Sequence, residues 1–342
     1  MEKIIVLGGK GGVGKSSISA ATAVLLSDLL PKKKILLISF DMAHNLSDLF
    51  EITIGNKMTL ITNNLWAIEP DADEYAEKYT TDLIDKMKTL MKQTPIVGLI
   101  PRVEKFIDTT FKADSIPLAL KNAMFFQKVL DAEDTTDQNT LFDIIIADFP
   151  PTANMITLFE IPEDQVKVVL KYSLNFYNSV KGAIRNVSKV WRKIIQPFDD
   201  HRERRELGKE IFNMIVDLEK RGERISELIH NIGSLRLVTI AEKPSFEEIK
   251  RARDLTKKYV ELQGVHINML IPEEHAKTCE FCGKIRSRQQ VYLREVIDEF
   301  KNLKIWESDK LKEEPIGIKG LRALAYEIYG DITPNEILNP KP

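Results

Sequence analysis

Cysteine is nearly absent from this chain: there are two, Cys279 and Cys282, in 342 residues. Usage this sparse excludes a disulfide scaffold and fits a cytoplasmic protein. Long hydrophobic runs are missing too. No apolar stretch reaches the ~18 residues that a bilayer-spanning helix needs. An excess of one charge sign is also lacking, since 49 basic and 51 acidic residues leave a formal net charge of −2. Bulk charge therefore gives no pointer to a nucleic-acid partner. The first residues run straight into an apolar stretch with no basic n-region or cleavage site, so no signal peptide is expected. What is present, 43% hydrophobic and 29% charged residues, is the composition of a globular protein with a full core. The length allows one large domain or two ordinary ones.

The most informative stretch is Gly8-Gly9-Lys10-Gly11-Gly12-Val13-Gly14-Lys15-Ser16-Ser17. The apolar run Ile4-Ile5-Val6-Leu7 leads into it, and a helix-compatible run from Ile18 to Leu30 leaves it. Gly9, Gly14, Lys15 and Ser16 satisfy the P-loop spacing G-x-x-x-x-G-K-S/T in its strand–loop–helix setting. Glycines let backbone N–H groups turn inward around phosphate oxygens, and the helix N-terminus adds partial positive charge. Gly9, Lys10, Gly11, Gly12, Val13, Gly14, Lys15, Ser16 and Ser17 are thus the candidate nucleotide-phosphate-binding loop. Lys15 suits the β- and γ-phosphates, and the Ser16 hydroxyl suits Mg²⁺. The bland alternative is a glycine-rich strand–helix turn without a ligand.

Lys10 is a second lysine inside the loop. With it, the stretch resembles the deviant Walker A motif of the dimeric ATPases that include nitrogenase iron protein, the Min and Par partition ATPases and the arsenical pump ATPases. The resemblance implies that Lys10 acts catalytically across a homodimer interface, on the partner's nucleotide.

Downstream, Ile35-Leu36-Leu37-Ile38-Ser39-Phe40 reads as a buried parallel strand. It ends in Asp41-Met42-Ala43-His44-Asn45-Leu46-Ser47-Asp48, at the strand end where ligands bind in α/β sheets. A carboxylate there can orient an attacking water, or it can cap the next helix; chemistry alone leaves both open for Asp48. The wording resembles the switch I of arsenical pump-driving ATPases and of the ATPase that targets tail-anchored membrane proteins, which implies the catalytic role. Residues 59–70 read as one strand. Phe142-Asp143-Ile144-Ile145-Ile146-Ala147-Asp148 reads as another, ending in an acid as a Walker B strand does, with Asp148 on the Mg²⁺ side. Phe149 to Asn154 follows; Ala153 and Asn154 stand where the family carries glycine and histidine. Leu235 to Ile240 and Val265 to Ile271 complete the strands. Glu242 and Asn268 match nucleotide-contacting positions by resemblance, with Asn268 facing adenine; the alternative for Asn268 is a turn former. The family's proline-rich base-binding loop is not recognisable at Glu307 to Leu311.

Cys279-Glu280-Phe281-Cys282 supplies two thiolates, half of a tetrahedral zinc site. Three readings stand: a redox dithiol, a zinc site completed by His266 or His275, or a Cys₄ site shared across a two-fold axis. The resemblance implies the last, with one Zn²⁺ between two chains.

The expected fold is α/β: a P-loop NTPase with a mostly parallel sheet flanked by helices and an inserted helical subdomain. The core would take residues 1–72, 136–162 and 231–335, and the subdomain 73–135 and 163–230. The resemblance spans Met1 to about Tyr329 and shows one ATPase half without spare thiols. It implies a cytoplasmic, transiently membrane-associated homodimeric ATPase, using ATP, Mg²⁺ and Zn²⁺. Its clients would be proteins with a C-terminal transmembrane helix, delivered to a membrane receptor, with no nucleic acid involved. The rivals are an ATPase subunit driving arsenite or anion export, a nucleotide-switched scaffold with little turnover, and an iron–sulfur carrier on the same fold.

Overall fold

The computed structural model describes residues 1–41, 45–70, 142–152 and 227–342, with Thr81, Asp85 and Met155 beside them. The chain divides into two units, Met1–Asp71 with Lys128–Phe159 and Ile225–Pro342, and Ala72–Gln127 with Glu160–Arg224. Nearly all described residues belong to the first. Apart from Thr81, Asp85 and residues 227–230, the expected helical subdomain lies outside the described residues, as do Ala153 and Asn154.

Short apolar runs become strands buried on both faces. These are β1 (Lys3–Gly9), β2 (Ile35–Ser39), β4 (Leu65–Ile68), β5 (Ile144–Asp148), β6 (Gly233–Ile240) and β7 (Leu262–Leu270). Every residue of β2 and β5 is buried, as both-face coverage by helices requires. A two-residue β3 (Thr59–Leu60) and an edge strand β8 (Lys304–Asp309) complete an eight-stranded sheet in the order β3-β4-β2-β5-β1-β6-β7-β8. All neighbours are parallel except β3 and β4.

One expectation is corrected. The single strand over 59–70 is a hairpin, because the chain reverses at Ile61 to Asn64 and Ile61 N–H donates to Leu65 O at 2.8 Å. The segment around Glu307 opens as strand β8. Its polar residues alternate with buried Trp306 and Ser308, the half-buried pattern of an edge.

Among the described residues the helices include α1 (Lys15–Leu29), α2 (Asn45–Phe50), α3 (Lys243–Thr256), α4 (Glu273–Thr278), α5 (Glu280–Glu299), α6 (Gly317–Tyr329) and α7 (Pro334–Leu338). α1 is sunk into the core through Ile18, Ala21, Val24 and Leu26. It is tied to α6 by Thr22 Oγ1 and Tyr329 Oη at 2.8 Å and by a two-bond Arg322–Asp28 pair at 2.6 and 2.8 Å. Beneath α6, His266 stacks on Trp306 at 4.5 Å and the fully buried Arg236 lies 5.1 Å over the same ring, its guanidinium donating to Ile337 O.

Candidate nucleotide site

β1 lies between β5 and β6, and its carboxyl end opens into the glycine loop. Gly14 sits at φ +90 as the residue before α1, and a Cβ there would collide with the Asn268 amide. Gly9 (φ +148) passes so close to Val238 O that a side chain would strike it. The loop therefore needs glycine for both conformation and approach. Lys10, Gly11 and Gly12 are exposed, whereas Val13 and Lys15 are buried. Lys15 Nζ reaches back across the loop and donates to Lys10 O at 3.1 Å. Burial pushes the Lys15 ammonium down from its usual pKa, against the pull of Asp148 and Asp41. A cation held this way suits phosphate oxygens, which would relieve its desolvation.

Asp148 ends β5 directly beside this loop, in register with Leu7. It is fully buried, and burial pushes its pKa up to about 6; Ser16, then Lys15, pull the other way. Ser39 Oγ donates to Asp148 Oδ2 at 3.4 Å. The Ser19 hydroxyl reaches Lys15 O at 2.9 Å, so its 3.4 Å approach to Asp148 adds little. A buried carboxyl next to a hydroxyl, kept up in pKa by burial despite Lys15, fits a hard divalent cation. Ser16 and Asp148 would hold Mg²⁺, which when bound neutralises charge on the β- and γ-phosphates.

Asp48 is exposed and lies inside α2, which begins at Asn45. The helix's first N–H groups are taken by another residue. Glu69, just past β4 and 2% exposed, accepts from Leu46 N–H at 2.7 Å, Ser47 N–H at 3.3 Å and Ser47 Oγ at 2.9 Å. Glu69 thus caps α2 from a distance, and Asp48 is not the residue that opens the helix. No sequence signal marked Glu69, because its partners lie 22 and 23 positions back in the chain.

Asn268 is buried at the end of β7. Its Nδ2 donates to Val13 O at 2.9 Å and its Oδ1 accepts from Ser308 Oγ at 2.9 Å. Glu242, exposed, precedes α3 at the carboxyl end of β6. The sheet's carboxyl edge therefore gathers the glycine loop, Asp148, Glu242 and Asn268.

The family model described as anion-transporting ATPase matches residues 2–330. The chain belongs to the anion-transporting ATPase family. It is 28% identical to the arsenical pump-driving ATPase of Escherichia coli over 92% of this chain and 47% of that protein. To the protein of the same name from Acidiphilium multivorum it is 26% identical, over 92% of this chain and 47% of that one. It is 25% identical to ATPase GET3 of Meyerozyma guilliermondii over 98% of this chain and 92% of that protein. As a member of this family it is a P-loop ATPase, hydrolysing ATP.

In this family member the cysteines head α5. Cys279 is the N-cap residue and its Sγ accepts from Cys282 N–H at 3.4 Å. That N–H is the main reason the Cys279 thiol is pushed below its usual pKa, while the hydrogen bond to Cys279 raises Cys282. Both thiols are half-buried, and Phe281 between them is 71% exposed. Among the described residues no three His, Cys, Asp or Glu side chains are grouped to hold a metal. His266 is buried in the sheet against Trp306, so it does not complete a cysteine site, and His275 pairs with Glu274 at 3.5 Å. One chain therefore offers a two-thiolate half-set.

Proposed function

We propose that this ATPase works as a homodimer whose ATP cycle grips and releases the C-terminal transmembrane helix of a client protein, in the cytoplasm and transiently at a membrane receptor. The observation that carries the dimer is the two-thiolate half-set on an open helix head: an isologous contact brings Cys279 and Cys282 to their copies and gives four sulfur ligands for one Zn²⁺. Exposed Lys10 is then free to serve the partner's nucleotide. Within each chain Lys15 and the glycine loop bind the phosphates, Ser16 and Asp148 serve Mg²⁺, and Glu242 and Asn268 flank the nucleotide. Asp48, on a helix fixed by Glu69, accepts a hydrogen bond from the attacking water and takes its proton as the γ-phosphoryl group departs.

The likeness to proteins named ATPase GET3 supports the client role, and the likeness to proteins named arsenical pump-driving ATPase supports anion export. Both are tested on the purified protein. A peptide with one C-terminal apolar helix should co-elute with the ATP-bound dimer and leave on hydrolysis. Turnover that rises several-fold with arsenite or antimonite, with no peptide retained, would replace the client reading by the export reading.

A further inference from the structure

Four features meet at the end of β7. Met269 has φ +58, a left-handed conformation that is strained for a long side chain. The β7–β8 ladder shifts register between Ile267 and Leu270. Gln289, buried on α5, spans the bend with both ends of its amide: Nε2 donates to Met269 O at 3.0 Å, and Oε1 accepts from Ile271 N–H at 2.8 Å. Asn268, the residue before the strained one, donates to Val13 O of the glycine loop, and only the missing side chain at Gly14 lets it approach.

The bend is thus clamped from two sides. One side is the helix whose first turn holds Cys279 and Cys282; the other is the loop that binds ATP. Gln289 lies ten residues beyond Cys279, about 15 Å along a straight helix. Left-handed and extended backbone are separate wells with no smooth path between them, so leaving the conformation Met269 holds would be an all-or-none change. An element of that kind, biased by two sites, is what couples them.

We propose that Gln289 is a positioning residue for nucleotide binding, which acts through Met269 and Asn268 to tie the cysteine-bearing helix to the glycine loop. Holding Met269 left-handed keeps Asn268 under Val13 and fixes the Val13 carbonyl away from the phosphates. By linkage, a nucleotide that settles the loop also steadies α5, and whatever steadies α5 favours nucleotide. The tie needs only ATP binding and does not depend on zinc, dimer or client.

The test uses the full-length protein and a fluorescent ATP analogue. Gln289→Leu removes both hydrogen bonds at similar volume; affinity should weaken about tenfold while kcat stays within about twofold. Met269→Gly removes the strain, so in that background Gln289→Leu should weaken affinity less than about threefold. A brace that serves only the fold would lower the unfolding temperature of Gln289→Leu, leave affinity unchanged and give additive substitutions; that outcome overturns the proposal. The wild type gives a second reading in case the variants do not fold. Amide exchange across residues 285–296 should slow when the analogue binds, and exchange that stays the same would sever the tie.

Discussion

Two helix heads carry the chemistry of this chain, and they are built in opposite ways. α1 opens with Lys15 and is sunk in the core, so that even Ser19, Thr22 and Ser27 are buried. α5 opens with Glu280 and is open to its surroundings, with only Gln289, Leu293 and Val296 buried along its 20 residues. The first head is complete within the chain: a cation, a hydroxyl and an acid already face one another. The second offers two thiolates and an exposed phenyl ring. A site whose parts are held by its own core suits a small molecule; two thiols on an open surface are the ground for the proposed second chain. The difference teaches where each substitution should be felt, inside a chain or between chains.

The largest effect should come at the closed head. Lys15→Ala removes the buried cation and should weaken ATP binding by about 10³-fold in a direct binding assay, whatever the protein concentration. Lys10→Ala should spare affinity and lower turnover if that exposed side chain serves the partner's nucleotide as proposed. Equal losses in both assays for Lys10→Ala would erase the contrast.

Next comes Asp48→Asn, which should reduce turnover on the order of 10²-fold with ATP affinity within a few fold. Glu69→Gln sharpens the point. It replaces an acceptor facing two N–H groups with an amide, loosens α2, and should lower kcat about tenfold without a matching change in KM. If Asp48→Asn turns over normally, the water-orienting assignment is wrong.

At the open head the effect is one of stoichiometry. Metal analysis should find one zinc per two chains, and Cys279→Ser should lose both the zinc and the dimer in sedimentation. One zinc per chain, or a stable dimer without zinc, would make α5 a closed site like α1.

The last effect is on stability. The Asp148 pKa of about 6 lies above its ordinary 3.8, so between these values the folded chain keeps a proton that the unfolded chain releases. The sign follows: stability is fullest below 3.8 and is lost as pH rises through 6. In chelator at pH 8, Asp148→Asn should therefore raise unfolding free energy, by about 3 kcal/mol at most, and at pH 4 the gain should vanish. Mg²⁺-dependent turnover should be lost at both.

The closed head was far more legible in the sequence than its supports. A P-loop is local: ten consecutive residues between an apolar run and a helix declare it, and the buried strands β2 and β5 announce themselves as unbroken apolar runs. Strand β8 does not, because an edge is half polar and Lys304 to Asp309 reads like a loop. Glu69 and Gln289 were invisible for a different reason. Each is an ordinary polar residue whose partners lie far away in the chain, Leu46 and Ser47 for one, Met269 and Ile271 for the other. Nothing in their neighbours along the chain marks them. Asn268 was noticed at a strand end, yet its grip on Val13 and Ser308 is set by where β7, β8 and the glycine loop meet.

Arg236 carries a consequence for the far end of the chain. Its side chain is sealed in the core, and its remaining nitrogen, beside an Nε and Nη1 that find no partner among the described residues, leans on the carbonyl of Ile337 in α7. Among the described residues no carboxylate neutralises it; the Ile337 carbonyl, the Trp306 ring and the Tyr329 phenol are the groups set against it. The residues after Gly330 are thus a stopper in the molecule rather than a tail. A chain cut there would take that oxygen from the cation, and a hydrogen bond to a charged group is worth about 1.5–3 kcal/mol. Proteolytic trimming of this surface segment would be felt beneath the very helix that braces α1.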